Sequence, residues 1–161
     1  MGRGKTGFVF FVEVTLKCLS FLMPASELAC IFLVTDHLPV SVCVLGIVLA
    51  LLGDVVFLTA VLTMRDNWRA GVSVEEKTEL VTDGVYRISR NPAFLGFDLL
   101  YLGILLLFFH WALLLITLLT MLFFHLQIVN VEEEFLISAF GEEYLAYRKR
   151  VCRYFGRRSG K

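Results

Sequence analysis

The sequence predicts an all-α integral membrane protein with about four transmembrane helices, and three observations support this prediction. The first is composition: 58% of the 161 residues are hydrophobic, 19% are charged and the mean hydropathy is +0.76. A typical soluble domain is about half apolar and about a quarter charged. The second is the grouping of apolar residues in long stretches, and the third is the one-sided placement of basic residues. We expect a single membrane domain over residues 1–161.

Four apolar stretches approach or exceed the length of a membrane-spanning helix, which is about 20 residues. They cover residues 7–34, 38–64, 94–109 and 111–131. Pro24 lies inside the first stretch, so we expect a kink there, or a split that would raise the count to five helices. Small residues mark where the second and third helices could approach a neighbour closely: Gly46, Ala50, Gly53, Gly96 and Gly103.

The basic residues predict the topology. Every Lys and Arg except Lys17 lies before the first stretch, between the second and third, or after the fourth. With four crossings, all of these segments lie on one side, which is the cytoplasm by the positive-inside rule. We therefore expect both termini and the 65–93 loop on the cytoplasmic side. The formal net charge is zero, and no nucleic-acid partner is predicted. The cysteines follow no disulfide or metal-ligand spacing, so no metal is predicted.

Residues 132–155 have the pattern of an amphipathic helix. Apolar and aromatic residues recur every three or four positions, while basic residues lie off that stripe. We expect this helix to lie at the cytoplasmic membrane interface, to cover a cofactor and to break near Gly141. The alternative is a solvated basic tail. The stripe comprises Leu136, Phe140, Tyr144, Tyr147, Val151 and Tyr154.

Polar side chains gather at the predicted cytoplasmic ends of the third and fourth helices. Such residues are costly inside a membrane and therefore suggest a functional site. The alternative is that each is a helix cap or an interfacial charge. The set consists of Arg90, Asn91, Asp98, His125, Gln127, Glu132 and Glu133.

Two motifs carry a resemblance to a known family. Residues 80–87 read LVTDGVYR and residues 90–96 read RNPAFLG. Farther on, the pair Glu132-Glu133 precedes FGEEY at 140–144 and then Tyr147, Val151 and Arg153. Together they resemble the paired signatures of the isoprenylcysteine carboxyl methyltransferase and phospholipid methyltransferase families. Asn91 and Phe94 replace the family's histidine and tyrosine, so no imidazole or phenol is available at those positions.

The resemblance implies an enzyme that binds S-adenosyl-L-methionine without a Rossmann domain and methylates a lipid-like acceptor. It implies that Arg90 and Glu133 are catalytic. It also implies a larger set of cofactor-binding residues: Tyr86, Asn91, Pro92, Phe94, Gly96, His125, Gln127, Glu132 and Tyr144. The expected partners are the lipid bilayer and a lipid-like or prenylated small molecule, with a carboxyl group of isoprenylcysteine type as the favoured acceptor. Phospholipid amines and small thiols remain open.

Two other functions remain open. Membrane sterol reductases resemble this family in their C-terminal half but bind NADPH, and they are usually longer. The second alternative is a non-catalytic four-helix membrane protein, and Asn91 and Phe94 are the features that favour it.

Overall fold

The computed structural model describes residues 7–34, 38–65 and 79–158. Within these ranges the chain is helical, with the elements α1 (Gly7–Leu33), α2 (Val40–Met64), α3 (Pro92–Leu107), α4 (Trp111–Gln127) and α5 (Glu133–Arg150). A 3₁₀ turn, Gly84–Arg87, precedes α3, and a π-helical turn, Ile128–Glu132, joins α4 to α5. Residues 66–78 of the predicted 65–93 loop, and the basic residues before α1, lie outside the described ranges.

Three helices are long and apolar enough to cross a membrane: α1, α2 and the continuous helix that begins at Trp111. The third predicted stretch forms α3, a shorter apolar helix of 16 residues. It begins at Pro92, because proline suits the first turn of a helix, where its missing N–H has no partner to lose. The all-helical membrane fold is therefore confirmed, while four crossings and the side of each terminus stay predictions.

The split at Pro24 is wrong, because α1 runs unbroken from Gly7 to Leu33 with Pro24 inside it. Proline removes only one hydrogen bond from a helix of 27 residues, and the apolar surroundings favour keeping the others. The helix packs along α4, where Met23 and Cys30 share a buried cluster with Leu105 and Leu113.

Helices α2 and α3 pack through glycines on both sides, which confirms the small-residue prediction. A Cβ atom added to Gly53 would lie 2.6 Å from the Gly96 carbonyl oxygen. One added to Gly103 would lie 2.6 Å from the Gly46 carbonyl oxygen and 2.5 Å from the Ala50 nitrogen. We call this the glycine contact. It lets two backbones approach to a distance that side chains forbid.

Helix α5 is amphipathic and kinked at Gly141, whose φ is +51°. Its aromatic stripe is buried against protein: Tyr144, Tyr147 and Val151 form a core with Leu80, Leu136 and Phe140. The described part of the segment is therefore not a freely solvated tail. Its position at the membrane interface stays a prediction.

Candidate functional site

The site begins with backbone pairing between the turn before α3 and the chain after α5. The Arg90 amide donates to the Cys152 carbonyl at 3.1 Å, and the Gly156 amide donates to the Ile88 carbonyl at 2.7 Å. The chain after α5 folds back on itself, since the Cys152 amide donates to the Gly156 carbonyl at 2.8 Å. The two sequence motifs are thus held side by side.

Glu133 lies at the middle of this arrangement. Two arginines bind it closely, and Nη1 of a third, Arg148, lies 4.0 Å from its Oε2 atom. Its Oε1 atom is 3.0 Å from Nη1 of Arg90 and 2.7 Å from Nε of Arg153. The Nη2 atom of Arg153 donates to Oε2 at 3.2 Å. Two N–H groups of one guanidinium therefore engage both carboxylate oxygens, the forked geometry that makes such pairs strong. We call Arg90, Glu133, Arg153 and Tyr144 the Glu133 centre.

The side chain of Arg90 is held by three groups of the protein itself. Besides Glu133, its Nη1 atom donates to the Tyr144 hydroxyl at 2.7 Å, and its Nε atom donates to the Val151 carbonyl at 3.2 Å. Its guanidinium carbon also lies 5.8 Å from the centre of the Tyr144 ring. The carboxylate that Arg90 contacts here is thus an internal one. The predicted catalytic roles of Arg90 and Glu133 stay predictions.

Glu133 and Arg153 are both charged at neutral pH. Burial raises the pKa of Glu133, but the hydrogen bond from Arg153 and the charge of Arg90 outweigh it, so the pKa lies below its usual value. The pKa of Arg153 is raised, chiefly by its hydrogen bond to Glu133. Each group thus stabilises the ionised form of the other.

Two tyrosines of α5 reach the turn before α3. The hydroxyl of Tyr147 donates to the carbonyl of Tyr86 at 2.7 Å, which fixes the 3₁₀ turn against α5. Burial raises the pKa of Tyr86, Tyr144 and Tyr147, so all three phenols stay protonated at neutral pH. The aromatic residues of the second motif therefore serve first to position the residues of the first motif.

The RNP segment begins α3 and joins the same network. Asn91 is buried, and its side-chain amide donates to the Arg153 carbonyl at 3.1 Å. The Ser89 hydroxyl accepts a hydrogen bond from the backbone N–H of Asn91 at 3.2 Å. Pro92 is fully buried at the first position of the helix. The amide at position 91 thus keeps a hydrogen bond at a place where the family has an imidazole.

His125 lies near the end of α4, and Phe94 lies in the first turn of α3. The Nδ1 atom of His125 is 2.8 Å from the Tyr154 hydroxyl, and the two rings stack with centres 6.0 Å apart. Phe94 packs edge-on against Phe124, with ring centres 5.0 Å apart. The chain after α5 therefore reaches the end of α4 as well as the start of α3.

Glu132 and Gln127 keep free hydrogen-bonding capacity. No hydrogen bond or ion pair to Glu132 is found among the described residues, and burial raises its pKa to about 7. The Oε1 atom of Gln127 is buried and has no partner in the described part of the chain. S-adenosyl-L-methionine carries ribose hydroxyls and an ammonium group, which are donors suited to such acceptors. These two residues therefore fit the predicted cofactor better than Glu133, which is already paired.

The structure brings most predicted site residues together but gives Gly96 a different environment. A Cβ atom at Gly96 would lie 2.8 Å from the Gly53 carbonyl oxygen, so this glycine faces α2 and its observed role is steric. Sequence reasoning left Arg153, Tyr147, Ser89 and Tyr154 out of the site. Arg153 and Tyr147 lie within the second motif, so its spacing is the signal that could have identified them.

Comparisons with known proteins identify relatives of this chain. A family model described as phospholipid methyltransferase matches residues 41–143. Protein-S-isoprenylcysteine O-methyltransferase of Saccharomyces cerevisiae is 31% identical over 94% of this chain and 63% of its own length. The protein of that name from Xenopus laevis is 38% identical over 67% of this chain and 38% of its own. The chain thus spans less than two thirds of these relatives.

One solved structure is similar to this chain in fold. It is that of a eukaryotic intramembrane Ras methyltransferase, isoprenylcysteine carboxyl methyltransferase. The two chains superpose with a TM-score of 0.65 at 25% identity, over 94% of this chain and 53% of the other. Nearly the whole of the present chain therefore shares the helical arrangement of about half of that enzyme.

Proposed function

Because this chain belongs to the phospholipid methyltransferase family, we propose that it is an S-adenosyl-L-methionine-dependent membrane methyltransferase acting on a lipid-like acceptor. The observation that carries the proposal is the joining of the two motifs by Glu133, which contacts Arg90 of the first and Arg153 of the second. The acceptor we favour is the carboxyl group of a prenylated cysteine, because the relatives described above are protein-S-isoprenylcysteine O-methyltransferases.

The residues divide into two groups by what they already bind. Arg90, Glu133 and Tyr144 hold the chain after α5 against the start of α3, so they shape the site. Glu132 and Gln127 have unused acceptors, and we assign them to the cofactor's ribose hydroxyls and ammonium group. The cofactor supplies an activated methyl group on a positively charged sulfur.

The surroundings suit this chemistry. Transfer of a methyl group from a sulfonium to a carboxylate removes two opposite charges, so a site with little water favours the reaction. The chain after α5 reaches the ends of both α3 and α4 through Asn91 and His125. In that position it would exclude water from the cofactor, and a lipid-like acceptor would enter from the bilayer between helices.

The first experiment is isothermal titration of purified protein in lipid nanodiscs with S-adenosyl-L-methionine, with NADPH titrated in parallel. Binding of the first and not of the second is expected. Glu132→Gln should weaken cofactor binding by about 1–3 kcal/mol, as loss of a charged hydrogen bond does. Glu134→Gln is the matched control, because Glu134 is an exposed neighbour on the same helix.

A second experiment tests the acceptor with isotopically labelled cofactor and S-farnesylcysteine. Base-labile methyl incorporation identifies a carboxyl ester. Cofactor binding without incorporation would reject the carboxyl acceptor but keep the methyltransferase. A folded sample that binds no cofactor would reject the enzyme and favour the non-catalytic alternative, and NADPH binding alone would favour the reductase.

A further inference from the structure

The interior of the helix bundle contains polar side chains that the site described above does not use. They come from three helices: Glu27 from α1, Asp98 and Tyr101 from α3, and Thr117 from α4. We call these four residues the polar layer. The glycine contact with α2 uses the opposite face of α3.

From the register of α1 along α4 we infer that Glu27 lies level with Thr117. The Thr120 hydroxyl lies 4.0 Å from the sulfur of Met23, and Cys30 shares a buried cluster with Leu113. Residue numbers therefore rise on α1 as they fall on α4, so the two helices are antiparallel. Glu27 lies about one turn from both contact residues on α1, and Thr117 lies about one turn from both on α4. The same register therefore pairs Glu27 with Thr117.

Helix α3 closes the layer from a third side. Asp98, Tyr101 and Leu105 are spaced by three and four residues and so share one face. Leu105 belongs to the buried cluster of Met23 and Cys30, and Tyr101 packs against it. Tyr101 also interacts electrostatically with both Glu27 and Asp98. Both carboxylates thus lie in the neighbourhood of the Tyr101 phenol.

Three atoms of this layer are buried without a hydrogen-bond partner in the described ranges. They are Oε1 of Glu27, Oδ1 of Asp98 and Oγ1 of Thr117. Asp98 is only 9% exposed and Thr117 is fully buried. No ion pair among the described residues involves either carboxylate. Buried polar atoms are almost always paired in native proteins, and intramembrane carboxylates mark ligand sites. The unpaired acceptors therefore indicate a donor that completes the layer.

We propose that the polar layer binds the ammonium head of a long-chain amine, with its alkyl chain among the apolar side chains of the bundle. An ammonium group carries positive charge and three donors, which match two carboxylates and a hydroxyl acceptor. An alcohol head has one donor and no charge, and a carboxylate head is repelled by Glu27 and Asp98.

The test uses the full chain in phosphatidylcholine nanodiscs at pH 7 without S-adenosyl-L-methionine. Dodecylamine, dodecanol and dodecanoate are titrated, and binding is followed by the rise in unfolding temperature. We expect dodecylamine to bind at least about tenfold more tightly than dodecanol, because it adds a charged hydrogen bond. Dodecanoate is expected to bind most weakly of the three. Equal binding of the three heads would overturn the proposal, and this measurement needs no variant.

Two conservative variants on different helices then locate the site. Asp98→Asn and Glu27→Gln should each weaken dodecylamine binding about tenfold and leave dodecanol unchanged. Asp54→Asn is the control, because Asp54 is an exposed carboxylate on α2. Amine binding that is unchanged in both variants, or lowered equally in the control, would show that the amine enters the bilayer alone. Cofactor binding is measured separately, so failure of one proposal leaves the other intact.

Discussion

The glycine contact along α3 and the Glu133 centre before its first residue hold this helix by opposite means. Along the length of the two helices, Gly53 and Gly103 allow the backbones of α2 and α3 to touch, with no charge involved. Before α3 begins, Arg90 is fixed by Glu133, Tyr144 and the Val151 carbonyl, all through directional hydrogen bonds. The first contact depends on the absence of side chains, and the second depends on their presence.

This difference follows from what surrounds each contact, lipid in one case and water in the other. In lipid, apolar side chains gain nothing by leaving the surroundings, so helices associate by close packing. At the end of the bundle water competes for charges, and a pair is strong only where it is buried and fully bonded. Arg90 and Glu133 are buried and hydrogen-bonded to each other, with side chains 3% and 8% exposed. Each contact therefore fails under a different kind of substitution.

The largest effect is expected for Glu133→Ala. It leaves the buried Arg90 guanidinium without its carboxylate, which typically costs about 3–5 kcal/mol of unfolding free energy. Thermal unfolding in nanodiscs measures the loss. The neighbouring Glu134→Ala is the control, since Glu134 is exposed. Equal losses for the two variants would mean that the Glu133 centre contributes no specific stability.

Gly53→Ala should break the other contact. The new Cβ atom would lie 2.6 Å from a backbone oxygen of α3, which no side-chain rotation can relieve. We expect a loss of about 1–3 kcal/mol from overpacking. Gly7→Ala is the matched control, because nothing lies within 4 Å of the added atom there. A Gly53→Ala protein as stable as the control would exclude close packing as the basis of the contact.

Tyr144→Phe removes one hydroxyl from the Glu133 centre while keeping the ring. The hydroxyl accepts from Arg90 at 2.7 Å, and hydrogen bonds to charged groups contribute about 1.5–3 kcal/mol. We expect a loss at the lower end of that range, because Arg90 keeps Glu133 and the Val151 carbonyl. Chemical denaturation at neutral pH measures it. The double variant Glu133→Ala/Tyr144→Phe should lose less than the sum, and strict additivity would contradict a shared network.

The last expected effect concerns pH and separates the two adjacent glutamates. Burial raises the pKa of Glu132 from 4.5 to about 7, so its ionisation lowers stability as pH rises between those values. The pKa of Glu133 is lowered, so its contribution is complete above pH 4.5 and lost as pH falls below it. Glu132→Gln should therefore flatten the loss of stability between pH 4.5 and 7, measured as unfolding temperature. An unchanged slope would show that Glu132 is hydrated.

The sequence predicted the parts of the molecule that local physics controls. Apolar length predicted α1, α2 and α4, and the glycine spacing predicted the surfaces of α2 and α3 that meet. The aromatic period predicted the buried face of α5, and Gly141 predicted its kink. The motif resemblance led to the residues of the site. In each case the signal lies within a few turns of one helix, where side-chain period and backbone preference act directly.

The sequence could not decide which groups of the site pair with one another. It suggested that Arg90 and Glu133 do chemistry, while the tertiary structure showed them bound to each other and to Arg153, with Glu132 and Gln127 left with free acceptors. Those pairings join residues that are tens of positions apart, and the folded chain likewise decided that α1 is unbroken at Pro24. The sequence by itself determined the helices and their faces. Only the folded chain decided which polar groups are paired and which stay available, because that depends on contacts between distant segments.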